Sequence, residues 1–322
     1  MSLTKLLFKL IDYFGYIPQN TYHDKNAIML AKDIVYCTKN TKLCTLDIYC
    51  NKEKQNICEP ILINLHGGGF VAGDKKYRKS FSEYCTKFGV KVLNINYGLA
   101  PKDNLIQILQ EVINIFDWIK ENSEKYNLDT NKIILCGDSA GAYIATCITA
   151  LATNEKFANA INLTKIDTKI AGLILFSGIY YPTDSLYTIM PLGINHSLWE
   201  YLCGEKFKDC DTCKSYKYYN ALNVGEYVTA DFPPIFISYS KTDIFCKGNG
   251  EKLVNNLKDL NIPFFSVYSI TNMHDWQENM FTKSSKMTLK HFDSFMKNLL
   301  SEKTDSTYNS SITIKLGKIV KE

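Results

Sequence analysis

Apolar positions along the chain fall into short continuous runs separated by stretches of helical spacing. Residues 43–50 alternate apolar and polar side chains, which predicts a half-exposed strand, and the polar stretch 51–60 predicts a turn. Ile61-Leu-Ile-Asn-Leu65 predicts a buried strand running into His66-Gly67-Gly68-Gly69-Phe70. Helical spacing of aromatics over 77–88 ends at Gly89, a natural C-cap, and 90–96 predicts the next strand. Residues 105–126 carry apolar side chains at 105, 108, 109, 112, 115, 116 and 119, the stripe of an amphipathic helix. Strands are then expected at 132–136, 170–176, 235–239 and 264–268, with helices at 140–152, 250–260 and 287–300. Strands alternating with helices from 61 to 300 predict an α/β fold, a mostly parallel central sheet with helices on both faces.

Three stretches break this rhythm. Residues 1–15 predict an amphipathic helix packed on the body; Lys9 and Asp12 interrupt its apolar run, so it is no signal peptide. Residues 178–230 have poor periodicity and many aromatics, including Tyr180, Tyr181, Tyr187, Trp199, Tyr201, Phe207, Tyr216, Tyr218 and Tyr219. A long insertion of this kind predicts a cap over a site. The polar tail 301–322 contains Ile312-Thr-Ile-Lys-Leu316, which the pattern does not place. The expected organisation is a single domain with a core at about 40–300 and a cap drawn from about 1–40 and 178–230.

The chemistry concentrates at Gly137-Asp138-Ser139-Ala140-Gly141, where the strand 132–136 must turn sharply into the helix 140–152. G-x-S-x-G between strand and helix is the signature of a nucleophile elbow, with the serine lifted clear of the sheet. A serine nucleophile needs a base, and the base needs an orienting acid, in the chain order serine, acid, histidine. Of the five histidines, His23, His66 and His196 come too early, and His291 lies in the middle of the last helix. His274 follows the strand 264–268 at the sheet edge where Ser139 is expected, and is the candidate base. Asp243 follows the strand 235–239 at that edge and is the candidate acid. Asp275 is its rival, but neighbouring side chains do not readily face each other; Asp231 precedes its strand and belongs to the wrong end. The backbone N–H of Ala140 and the glycine turn 66–69 are candidates for an oxyanion hole, with His66 and Gly67 supporting the loop. No G-x-G-x-x-G or Gly-Lys-Ser/Thr pattern makes that turn a phosphate loop.

Composition excludes other classes. The 322 residues are 46% hydrophobic and 22% charged, with a net charge of +4 and no basic stripe, so nucleic acid is not an expected partner. No apolar run is long enough to cross a membrane. Eleven cysteines, several in core runs, read as reduced thiols of a cytoplasmic protein. Cys210-Asp-Thr-Cys213 has no second pair and no histidine at ligand spacing, so neither metal nor organic cofactor is expected.

His66-Gly-Gly-Gly69-Phe70, Tyr97-Gly-Leu-Ala-Pro101, Gly137-Asp-Ser-Ala-Gly141, Asp243 and His274 run in the order of the hormone-sensitive-lipase-like esterases. The chain resembles that family of α/β hydrolases over about residues 40–300. The resemblance implies ester hydrolysis with Ser139, Asp243 and His274 as triad and the N–H groups of Gly68, Gly69 and Ala140 as oxyanion hole. Two departures stand out: Gly98 and Lys102 replace the family's usual Arg and Glu, and Asp275-Trp276 replaces Gly-Phe after the base. The expected activity is hydrolysis of small acyl esters through an acyl-enzyme. The aromatic insertion suggests a short or medium acyl chain or an aromatic alcohol. An arylformamidase-like amide hydrolase with the same triad is the alternative. A non-catalytic ligand-binding protein, as the gibberellin receptors resemble, is disfavoured by the presence of His274. A homodimer is left open.

Overall fold

The computed structural model describes residues 3–19, 21–185, 194–208, 211–301 and 308–321; Tyr187 and Cys210 lie outside the described residues. The strands are β1 (Ala27–Val35), β2 (Thr45–Asn51), β3 (Glu59–Leu65), β4 (Lys91–Ile95), β5 (Leu128–Asp138), β6 (Ile170–Phe176), β7 (Ile235–Ser240), β8 (Phe264–Ser269), β9 (Ser310–Lys315) and β10 (Lys318–Lys321). They form one sheet in the order β1-β2-β4-β3-β5-β6-β7-β8-β9-β10. All pairings from β4 through β3 to β9 are parallel, and the antiparallel ones sit at the two ends.

Period-two alternation explains why the middle strands are apolar throughout. Ile61, Ile63 and Leu65 of β3 enter one core, as do Ile133 and Leu135 of β5 and Leu173 and Leu175 of β6. Their neighbours Leu62, Ile134, Cys136, Ile174 and Phe176 enter the opposite core. Each face is then covered by helices. The first core takes in α3 (Leu105–Tyr126), α4 (Ala140–Thr153), α5 (Glu155–Ile161) and, later in the chain, α8 (Asn249–Asp259). The second takes α2 (Lys79–Cys85) and α9 (Lys283–Leu300). Asn104 and Gln107 close α3 with a reciprocal capping box, Asn104 Oδ1 accepting from the Gln107 N–H and Gln107 Oε1 from the Asn104 N–H.

The ends of the chain depart from the sequence reading. Residues 27–35, expected to belong to the cap, are the antiparallel edge strand β1, and the helix ahead of them is α1 (Leu3–Gln19). The alternation in β1 is broken by register shifts on either side of Ala31, and only Ala27 is buried, so no clean period survives in the sequence. The tail, unplaced by pattern, supplies β9, which extends the parallel sheet beside β8 and buries Ile312 and Ile314; β10 folds back on it.

In the insertion, α6 (Pro182–Ser185) and α7 (Ile194–Cys203) are followed by short 3-10 turns. Of its aromatics, Tyr180, Tyr181, Phe207 and Tyr216 are buried in the main core. Tyr143 Oη of α4 donates to the Leu222 carbonyl at 2.9 Å, tying the insertion down. A separate small cluster joins Phe8 of α1 to Leu198 and Tyr201 of α7 above the sheet edge. Among the described residues no helix is long and apolar enough to cross a membrane.

The β9 strand carries a stability prediction. Ile314 is fully buried, so Ile314→Ala should cost about 3 kcal/mol through lost burial and a partly collapsed cavity. Urea unfolding should show a lower midpoint with unchanged slope. An unchanged midpoint would mean that the tail strand adds nothing to the core.

Candidate active site

Ser139 follows β5 with φ 51° and ψ −115°, a sparsely populated backbone conformation for a residue with a side chain. Close packing imposes it. A Cβ on Gly137 would lie 2.3 Å from the Gly141 carbonyl carbon, and one on Gly141 would lie 2.1 Å from the Leu65 carbonyl oxygen. The absence of both lets α4 start directly against β5 and β3. Ala140 is the first residue of α4, so its N–H has no carbonyl within the helix to donate to.

Two neighbouring strand ends bring their loops to the same place. Asp243 follows β7 and His274 follows β8. His274 Nε2 lies 2.9 Å from Ser139 Oγ, and His274 Nδ1 lies 2.7 Å from Asp243 Oδ2. The other carboxylate oxygen of Asp243 accepts from the backbone N–H groups of Phe245 and Cys246, at 2.8 and 2.9 Å. Asp243 is buried, yet His274 and these N–H groups outweigh its desolvation and hold its carboxyl below the usual range. Asp231 lies at the opposite edge of the sheet, beside Lys132 and Ile170. His291 packs against Phe265 with ring centroids 5.0 Å apart, away from the site.

The glycine turn lies on the other side of Ser139. Gly68 and Gly69 have φ of 118° and 60°, and together with Ser139 and His274 they line one cavity. Their N–H groups have no protein acceptor among the described residues. His66 is buried and stacks on Tyr97 at 4.3 Å, and its Nδ1 is 2.6 Å from the Gly67 carbonyl oxygen. Burial pushes its pKa down to about 4, so the ring is neutral and its Nδ1 can carry the hydrogen donated to that carbonyl.

Space around Ser139 divides into two lobes sharing Phe8, Gly69 and Phe245. The apolar lobe, about 60 Å³, is closed by Phe70, Ile179, Leu198, Trp199 and Leu202. The wider lobe, about 340 Å³, is lined by Ile11, Ile244 and Met273 as well as by His274, Asp275, Asp12 and Arg78.

A family model described as BD-FAE matches residues 46–256. The chain belongs to the BD-FAE family. Its fold is that of the α/β hydrolases. Esterase B of Lactobacillus rhamnosis superposes with a TM-score of 0.77 at 15% identity, covering 92% of this chain and 95% of that one. A bacterial heroin esterase gives 0.71 at 16% identity over 91% and 90% of the two chains. EstE1, a carboxylesterase cloned from a metagenomic library, gives 0.68 at 13% identity over 93% and 98%. A putative α/β hydrolase of Acanthamoeba polyphaga mimivirus is 25% identical over 235 residues, 72% of this chain and 66% of that protein's length.

This BD-FAE chain also builds its site from residues the sequence did not single out. Arg78, just before α2, is buried and grips Asp138: its Nε donates to Asp138 Oδ1 at 2.6 Å and its Nη2 to Oδ2. Asp138 Oδ2 also accepts from the Gly67 N–H at 2.9 Å, and Arg78 Nη1 donates to Gln19 Oε1 at the end of α1. One ion pair thus links the glycine turn, the elbow and α1. Glu278 lies 4.0 Å from Arg78, and burial raises its carboxyl to about 8. At the departure noted above, Gly98 donates its N–H to Glu111 Oε2 at 2.7 Å, and a Cβ there would meet that oxygen at 2.3 Å. Asp275, the rival acid, does not take the place of Asp243 at His274 Nδ1. Its Oδ2 lies 3.2 Å from His274 Nε2, because its φ of 51° turns the side chain back toward the preceding ring. Asp243, Cys246 and His274 have donor atoms within 4.8 Å of one another, but Asp243 and His274 are already engaged with each other.

The Arg78–Asp138 pair makes a testable prediction. Asp138→Asn leaves the buried guanidinium without its close counter-charge and should cost about 3 kcal/mol in thermal or urea unfolding. A loss below about 0.5 kcal/mol would show that the pair does not hold the turn and elbow together.

Proposed function

We propose that this protein is a serine carboxylic-ester hydrolase for short acyl esters. The observation that carries the reading is the hydrogen-bonded chain Ser139–His274–Asp243 at a strained strand-to-helix turn. In this mechanism His274 Nε2 takes the Ser139 proton as Oγ attacks the carbonyl carbon. The oxyanion is met by the N–H groups of Gly68, Gly69 and Ala140, aided by the N-terminus of α4. Collapse breaks the ester C–O bond, and His274 returns the proton to the leaving alcohol. Water, activated by the same ring, then releases the acid. Asp243 holds the imidazole in place and stabilises its cation.

The two lobes take opposite ends of the substrate. The leaving oxygen must reach His274, so the alcohol occupies the wider lobe, which contains that residue, and the acyl chain occupies the smaller apolar one. A single water needs about 10–15 Å³ of such space, so the apolar lobe accepts about four to six water-sized groups, the bulk of a short acyl chain. Esterase B, similar in fold, has been crystallised with a tributyrin phosphonate inhibitor, which points the same way. The free thiols fit a reducing, cytoplasmic setting.

Hydrolysis of p-nitrophenyl esters from acetate to palmitate tests the reading. Activity should peak at short chains, and Ser139→Ala should lower kcat by at least about 10⁴-fold without loss of fold. Leu202→Ala enlarges the apolar lobe and should raise the octanoate-to-butyrate ratio of kcat/KM by about tenfold, a methylene or two of recovered burial. Equal rates for wild type and Ser139→Ala would overturn the proposal; N-formylkynurenine as sole substrate would redirect it to amides.

A further inference from the structure

A triad of this type presents one carboxylate to its histidine, on the Nδ1 side. Here a second one reaches the other nitrogen. Asp275 Oδ2 is 3.2 Å from His274 Nε2, the same nitrogen that faces Ser139 Oγ. The position is built rather than accidental. Asp275 adopts a left-handed backbone, its N–H donates to Ser177 Oγ at 3.1 Å, and its Oδ1 accepts from Gln277 Nε2 at 3.1 Å. A left-handed position explains the glycine usual there in the resembled family, and here the chain spends it on a carboxylate.

We propose that Asp275 is a positioning residue that grips the His274 imidazolium from the serine side and makes the ring a stronger base than Asp243 alone would. This rests on the reading of His274 as the base. No proton passes to Asp275: the serine proton moves to Nε2 and then to the leaving oxygen, while the Asp275 carboxylate stabilises the intervening cation. The expected consequence is that the ring, and with it the acid limb of catalysis, titrates at higher pH than a histidine paired with Asp243 alone.

The charges around the ring agree. From the loop after β7 it faces Asp243 and Cys246, and from the elbow Asp138 and Ser139. Arg78 faces Asp275 from the segment before α2, already paired with Asp138, and Asp12 of α1 lines the same lobe. Burial pulls His274 down, but the Asp275 carboxylate, then Asp243, outweigh it and raise the ring to about 9. Desolvation raises Asp275 itself to about 7, opposed by the His274 cation, so the pair is ionised together between about pH 7 and about pH 9.

The test is Asp275→Asn, which keeps the shape and tolerates the left-handed backbone, with Asp275→Gly as a second variant. The His274 ring is titrated directly by NMR, its signal assigned by its loss in His274→Asn, alongside kcat/KM for p-nitrophenyl butyrate from about pH 5 to about pH 10. Both variants should lower the His274 midpoint, and the acid limb of kcat/KM with it, by at least about one pH unit. That shift corresponds to about tenfold higher relative activity below the limb. A His274 midpoint that stays within about 0.3 unit of wild type in both folded variants would overturn the proposal. The NMR arm stands even if no ester is hydrolysed, so failure of the esterase reading and failure of this one are told apart.

Discussion

The close approach of α4 to β3 and β5 governs everything at this site. Two missing Cβ atoms, at Gly137 and Gly141, allow the helix to begin where the strand ends, and the backbone at Ser139 is forced into its unusual turn. That conformation costs about 1–3 kcal/mol. Burial of every residue from Ala140 to Leu151 offsets it, since α4 is anchored in the core along its length. The same contact aims the helix N-terminus at the serine and sets Ser139 beside the loops that follow β7 and β8. A parallel sheet brings the C-terminal ends of those strands to one edge, so residues more than a hundred positions apart meet within hydrogen-bond distance.

Around this geometry the protein arranges a dense set of carboxylates about few cations. Arg78 neutralises Asp138 and lies 4.0 Å from Glu278, and its link to Gln19 fastens α1 beside the cavity. Phe8 of the same helix fills the space over Gly69, where a Cβ would meet its ring at 2.5 Å. The position of α1, the shape of the glycine turn and the charge at the elbow are therefore one coupled arrangement. The cavity space, in turn, is what α1 and α7 leave open on either side of Ser139.

Much of this was legible in the sequence, for physical reasons. The strands from β3 to β8 are apolar on both faces and short, which no surface segment imitates, and the elbow motif sits where such a strand meets a helix. Chain order and sheet edge then singled out Asp243 and His274. The edge strand β1 and the next-to-edge strand β9 escaped because each is only partly covered, and β1 is broken by register shifts. Arg78 and Asp138 are sixty residues apart, and an ion pair at that separation leaves no local pattern. The approach of Asp275 to Nε2 was not legible, because the argument from adjacent side chains assumes an ordinary backbone, whereas its left-handed turn brings the carboxylate beside the ring.

The central claim is that Ser139, driven by His274, carries the acyl group during turnover. Intact-protein mass spectrometry after acid quench of the protein with p-nitrophenyl butyrate, followed by peptide mapping, tests it most directly. The account predicts a single added butyryl group on the peptide containing Gly137-Asp138-Ser139-Ala140-Gly141, absent in Ser139→Ala. Turnover with the acyl group on another residue, or the same adduct in Ser139→Ala, would contradict it.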